Sequence, residues 1–156
     1  MKKIWIIVAV AILLVTTIFL LKQGSSFEQI DSFEQEMTLY KSSNCGCCGI
    51  YSNYFQGKGN SDLNVVNLQD ISSIKEKYGI PSQLESCHTT IMGDYFVEGH
   101  IPLEAIEKLL TEKPDIKGIA MAGMPNGSPG MPGTKKSDFV IYSVNHDGSY
   151  QEFMRL

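Results

Sequence analysis

Several absences narrow the reading of this sequence before any motif does. No basic patch interleaved with aromatics appears in the 156 residues, and the net charge is slightly negative at −4. The electrostatic footprint of a nucleic-acid-binding protein is therefore missing. Internal repeats are missing too, so the chain is not a solenoid or an array. Charge is absent from Ile4 to Leu21. Cysteine is sparse, with four in the chain and none near the N-terminus, which argues against lipoprotein processing. The apolar run ends in Phe19-Leu20-Leu21-Lys22, without the small-x-small site that a cleaved signal peptide requires.

What remains is a chain sized for one compact domain plus an anchor, with 43% hydrophobic residues and hence material for a real core. The uncharged run is just long enough to span a bilayer as a helix. It is read as an uncleaved signal anchor over residues 1–22, rather than a buried core helix. Lys2 and Lys3 stay cytoplasmic, which leaves the domain on the extracytoplasmic, periplasmic or cell-surface side. Lys22 at the other flank keeps that charge bias small. Residues 23–36 are polar and read as a tether. The folded domain then covers 37–156.

Within that domain, Met37–Tyr40 reads as a strand. Ser43 or Asn44 can cap a helix from Cys45 to Phe55, which Gly57–Asn60 should break. Leu63–Leu68 is a second strand, followed by a helix over Ile71–Tyr78 that Gly79-Ile80-Pro81 stops. Thr89–Met92 and Tyr95–Val97 form a hairpin around Gly93-Asp94. Pro102–Leu110 is a helix with Pro in its first turn. Met121–Gly133 is too rich in Gly, Pro and Met to be regular. Phe139–Val144 and Ser149–Phe153 form a closing hairpin around Asn145–Gly148. The order is β-α-β-α-β-β-α with an added C-terminal β-hairpin, an α/β chain of thioredoxin-like pattern.

The chemistry concentrates in Cys45-Gly46-Cys47-Cys48. Cys45 and Cys48 have C-x-x-C spacing at a helix start, where unpaired N–H groups and partial positive charge favour thiolate over thiol. A dithiol redox centre needs only those two. Cys47 adds another soft donor, and thiolates select Cu(I), zinc or iron–sulfur. Disulfides tying loops are the plain alternative, but cysteines this close together close almost no loop.

Cys87 falls before the third strand, where a thioredoxin-like fold brings it to face the other cysteines. His88 is a borderline ligand beside it, or else a hydrogen-bonded bystander. His100, at a strand-to-helix turn, is either an added ligand or a cap. His146 sits in the last turn and is read as solvated. Met121, Met124 and Met131 stud the irregular loop. Thioethers suit Cu(I) and not zinc, although methionines more often fill cores. Met124 and Met131 are the ones favoured as ligands.

At this point the residues resemble a known family. The segment from about Thr38 to Phe153 is similar to the bacterial domain-of-unknown-function family that includes the copper-resistance protein CopG. The resemblance rests on four stretches in order. They are Tyr40-Lys41-Ser42 leading into Cys45-Gly46-Cys47-Cys48; Ser86-Cys87-His88-Thr89; Tyr95 with Val97 to Pro102; and Gly123-Met124-Pro125 running to Gly130-Met131. It implies a thioredoxin-like fold, an extracytoplasmic location and copper handling. It puts Cys45, Cys47, Cys48 and Cys87 in the ligand positions, with His100 and the loop methionines as assistants. Ser43-Asn44, Gly49, Ala122 and Pro132 depart from the family pattern, and none removes a ligand. Gly49 weakens the first helical turn by up to ~1 kcal/mol relative to Ala.

The expectation is a copper-binding protein that sequesters Cu(I) or couples copper to thiol redox, with thiolate bridging that lets the cluster hold more than one copper. Two alternatives stay open. One is a thiol–disulfide oxidoreductase using Cys45 and Cys48 as catalytic residues. The other is a zinc module built on Cys45, Cys48, Cys87 and a His, which gives Cys47 no role. Whether the chain is an enzyme is left open. Expected partners are copper ions, the membrane through the N-terminal helix, and other copper-handling or thiol-redox proteins.

Overall fold

The computed structural model describes residues 27–156 together with Trp5. The expected anchor, apart from Trp5, and the start of the tether lie outside the described residues. Among the described residues no helix is long and apolar enough to cross a membrane.

The fold is a mixed α/β arrangement on one sheet. In chain order the elements are α1 (Glu28–Asp31), β1 (Met37–Ser42), α2 (Gly46–Lys58), β2 (Asn64–Leu68) and α3 (Ser72–Tyr78). After a 3-10 turn at Ser82–Leu84 come β3 (His88–Met92), β4 (Tyr95–Glu98), α4 (Leu103–Glu112), β5 (Gly118–Ala120), β6 (Val140–Val144) and β7 (Tyr150–Arg155). The seven strands lie in the order β2-β1-β3-β4-β5-β6-β7. β1 runs parallel to β2, and β4 to β5; the other pairings are antiparallel. Each parallel pair needs a crossover, and α2 and α4 lie in those two connections.

Strand alternation divides the core between the two faces of the sheet. Met37, Leu39, Val97, Ile119 and Ile141 pack in the larger cluster with Tyr51 and Phe55 of α2 and Ile106 and Leu109 of α4. Phe96, beside Val97 in the chain, packs instead with Ile80, Leu84, Ala120 and Val144. In α2 the buried residues are Cys48, Tyr51, Ser52 and Phe55, one stripe at helical spacing. That stripe ties the site-bearing end of the helix to the core.

Four features differ from the sequence expectations. The helix after Cys45 continues through Gly57 to Lys58; burial of its apolar stripe outweighs the propensity cost of one glycine. Its N-cap is Cys45, with no side-chain capping bond, rather than Ser43 or Asn44. β5 was not anticipated, because three residues give no readable period. Finally, part of the expected tether is built into the domain. Ile30 of α1 is fully buried, the Glu107 carboxylate accepts the N–H groups of Gln29 at 2.9 Å and Ile30 at 3.1 Å, and the Asn60 amide donates to the Ile30 carbonyl at 2.9 Å.

That docking is testable. Ile30→Ala is expected to lower the unfolding free energy by about 2–5 kcal/mol, the usual cost of truncating a core isoleucine, read from urea denaturation. A free tether would give a change within about 0.5 kcal/mol.

Candidate metal centre

The first half of the site is made by the turn between β1 and α2. Cys45 N–H donates to the Ser42 carbonyl at 3.0 Å, and Ser43 N–H to the Leu68 carbonyl at 2.9 Å. This fixes Cys45 at the mouth of the helix, with Cys47 and Cys48 in its first turn. The nearly buried Lys41 sends its ammonium toward the carbonyls of Ser42 at 3.2 Å and Cys45 at 3.4 Å. Helix dipole and ammonium together give this corner positive character.

The second half comes from the segment that leads into β3. Antiparallel pairing sets Lys41 opposite His88, so Cys87 emerges at the same sheet end as Cys45. The sulfurs of Cys48 and Cys87 lie 3.3 Å apart, and those of Cys45 and Cys47 lie 3.5 Å apart. All four sulfurs fall within 4.8 Å of one another. Cys45 and Cys48 are joined as a disulfide, while Cys47 and Cys87 are free thiols.

Two histidines adjoin Cys87. Its sulfur is 3.0 Å from His100 Nε2 and 3.4 Å from His88 Nδ1. His100 Nδ1 lies 2.6 Å from the Pro129 carbonyl. A carbonyl only accepts, so Nδ1 carries the proton and Nε2 turns its lone pair toward Cys87. A carbonyl that fixes the tautomer of a ligating imidazole is a common outer-shell arrangement. His88 is fully buried, and its Nε2 has no hydrogen-bond partner among the described residues.

Burial, then the neighbouring His100 and Lys75, pushes the His88 pKa well below its usual value. Burial also lowers that of His100, opposed by the Pro129 contact. Both rings are therefore neutral near pH 7, the form that binds metals. The Cys87 thiol is pushed up to about 12, by burial first and then by Cys47.

Tyr51 underlies the histidines. Its ring centroid is 4.4 Å from that of His88 and 5.5 Å from that of His100, and its hydroxyl donates to the Ile101 carbonyl at 2.9 Å. The methionine-rich loop rests on the first turn of α2 through Gly130. There φ is +81°, and a Cβ would lie 2.8 Å from Tyr51 N and 3.0 Å from the Cys47 carbonyl, so only glycine fits.

The structure thus gathers Cys45, Cys47, Cys48, Cys87, His88 and His100. Met131 is half-buried beside Gly130. Met124 is 49% exposed, and Met121 is in the core. His146 is solvated and pairs with Asp115 at 3.0 Å. Sequence reasoning missed Tyr51, the Pro129 carbonyl and a buried ion pair between Lys75 and Glu98. The readable signal for Tyr51 was its place one helical turn after Cys48. For Glu98 it was a carboxylate at the end of an otherwise apolar strand.

The donor set fits a soft metal. Clustered thiolates with neutral imidazoles match Cu(I), or zinc with fewer ligands used. The His88 nitrogen that lies among those donors is Nδ1, 3.4 Å from the Cys87 sulfur. In the disulfide form two of the sulfurs are committed to each other; adding two electrons and two protons returns them as thiols.

A family model described as "Protein of unknown function, DUF411" matches residues 84–131, the stretch that contains Cys87, both site histidines, Met124 and Met131. Two solved structures of copper resistance protein CopG, forms 1 and 2, are 30% and 31% identical to this chain. They match 78% of it and 96% and 97% of their own lengths, with TM-scores of 0.67 and 0.68. No curated protein sequence matches the chain.

In the metal-free disulfide form Cys47 and Cys87 compete for an alkylating reagent. With its pKa raised to about 12, Cys87 holds little thiolate at pH 8. The lower intrinsic reactivity of low-pKa thiolates offsets only part of that deficit. Cys87 is expected to react at least about tenfold more slowly than free cysteine, and to speed up steadily toward pH 10. Peptide mass mapping measures this; a rate equal to free cysteine at pH 8 contradicts it.

Proposed function

This chain belongs to the DUF411/CopG-like family, and from that premise we propose that it is an extracytoplasmic copper-binding protein. Its Cys45, Cys47, Cys48 and Cys87 thiolates hold Cu(I), either to sequester it or to couple it to thiol redox. The observation that carries this reading is the convergence of four sulfurs within 4.8 Å, three from one helix start and one from the segment that leads into β3. A single structural disulfide would need two.

His100 serves as an added ligand through the nitrogen that its Pro129 contact leaves free, with His88 behind it. The methionines, Met131 beside α2 and the exposed Met124, form the approach to the site. Bridging thiolates let four sulfurs serve more than one copper ion.

The domain is read as thioredoxin-like. Support comes from the β2-β1-β3-β4 strand order, from β1 being parallel to β2 and antiparallel to β3, and from the cysteines at the first helix of that unit. The uncharged Ile4–Leu21 run supports a membrane anchor that keeps the domain outside the cytoplasm, where copper-handling and thiol-redox proteins are its partners.

The Cys45–Cys48 disulfide favours a second reading, a thiol–disulfide oxidoreductase in which those two residues are catalytic. The two readings share a balanced step. A dithiol gives up two electrons and two protons to become the disulfide, and the acceptor is either a partner disulfide or two Cu(II) ions, each reduced to Cu(I). Cys47 separates them, since dithiol exchange does not need it and a copper cluster does.

The reduced full chain, loaded with Cu(I) and offered zinc as well, is competed against a Cu(I) chelator. The native chain is expected to retain copper in preference to zinc, and the Cys45, Cys47, Cys48→Ser variant to release it at least about a hundredfold more readily, the ~2.8 kcal/mol that two tenfold steps represent. Cys87→Ser lowers capacity or affinity with the fold intact, and His100→Ala lowers them less. Met124→Leu does least at neutral pH and more in acid, because a thioether takes up no proton. Equal retention by the native chain and the triple variant overturns the proposal. Undiminished binding in Cys47→Ser moves it to the second reading.

A further inference from the structure

Beneath Cys87 lies a group of buried polar residues that the copper site itself does not use. Glu98, the last residue of β4, is fully buried, and its carboxylate pairs with the Lys75 ammonium of α3, whose side chain is 7% exposed. The same carboxylate accepts two further hydrogen bonds. Oε1 takes the backbone N–H of Ser86 at 2.5 Å, and Oε2 takes the Thr89 hydroxyl at 2.5 Å. Lys75 Nζ also lies 3.4 Å from that hydroxyl.

The two residues that Glu98 grips are Ser86 and Thr89, which flank Cys87-His88 on either side. Other bonds close the frame. Ser86 Oγ donates to the Gly123 carbonyl, Gly123 N–H donates to the Glu85 carbonyl at 3.1 Å, and Gly99 N–H donates to the His88 carbonyl at 3.0 Å.

A buried ion pair is poor value as a source of stability. A well-packed apolar pair of similar volume usually does as well or better. An apolar pair, however, cannot accept the Ser86 N–H, a part-buried donor that would lose its partner. A carboxylate can take Ser86, Thr89 and Lys75 together; burial pushes its pKa up, and Lys75 is the first of the groups that oppose that rise. The position of the pair, on strand and helix and not on the loop, gives Cys87 a rigid reference.

We propose that Glu98, held in place by Lys75, is a positioning residue for Cys87: its side-chain acceptor clamps the segment from Ser86 to Thr89 so that the Cys87 sulfur faces Cys48 and His100. The inference rests on Cys87 belonging to the copper site, but the positioning itself is measurable without copper.

The test uses the full chain carrying Cys45→Ser and Cys47→Ser, so that Cys48 and Cys87 are the only thiols. Its equilibrium with glutathione gives the effective concentration of Cys87 at Cys48. Two further variants are made in that background, both without the buried charges. Lys75→Met with Glu98→Gln keeps an acceptor for Ser86. Lys75→Met with Glu98→Leu removes it.

The Gln pair is expected to stay within about threefold of the parent, and the Leu pair to fall at least tenfold, with both folded by circular dichroism. A purely structural role would lower the melting temperature without moving this ratio, so equal effective concentrations in the two variants overturn the proposal. If the Leu pair does not fold, Glu98→Asp takes its place. It draws the carboxylate one methylene back from Ser86, and it is expected to fall at least fivefold; no fall overturns the proposal. Copper uptake by the same substitutions in the four-cysteine chain is measured separately. A loss of effective concentration with no copper bound by the native chain sinks the copper reading and leaves the clamp standing.

Discussion

The site depends on the pairing of β1 with β3. The antiparallel register that puts Lys41 opposite His88 and Leu39 opposite Thr90 sends the chain after β1 and the chain before β3 out of the same end of the sheet. Cys45, Cys47 and Cys48 follow the first strand directly, and Cys87 precedes the second directly. Slipping the register by one residue would turn Leu39 out of the core and carry Cys87 away from Cys48. The buried side chains that hold this register, Met37, Leu39, Thr90 and Met92, therefore support the sulfur cluster without touching it.

Around that register the local environment works in two directions. The start of α2 and the Lys41 ammonium make the corner at Cys45 electropositive, whereas burial keeps Cys87 protonated and both histidines neutral. A Cys87 thiol donating toward His100 Nε2 suits the metal-free protein. A soft cation arriving there would displace that proton and find a neutral nitrogen and up to four sulfurs. The disulfide between Cys45 and Cys48 makes the same site redox-dependent, because two of those donors exist only after reduction.

Much of this was legible in the sequence. The C-x-x-C spacing and the third clustered cysteine marked the site, and the alternation of strands and helices placed Cys87 near it. What stayed hidden has physical reasons. The docking of Ile30 depends on a carboxylate, Glu107, more than seventy residues away, which no local pattern records. β5 is too short to show a period, and Gly118 reads as a breaker until the close approach of Phe96 is seen: a Cβ there would lie 2.1 Å from the Phe96 carbonyl oxygen. The Lys75–Glu98 pairing stayed hidden because, although Glu98 stands out at the end of an apolar strand, its partner Lys75 looks like a solvated charge on a helix 23 residues away. The resemblance to the CopG family was readable from four short stretches, and the structural match agrees with it.

X-ray absorption at the copper edge, on the reduced full chain loaded with Cu(I), tests the account most directly. Four converging thiols predict a first shell dominated by sulfur, with sulfur lost from it in Cys87→Ser and a minor nitrogen component lost in His100→Ala. A first shell of nitrogen and oxygen, or one that Cys87→Ser leaves unchanged, would contradict the four-sulfur copper site.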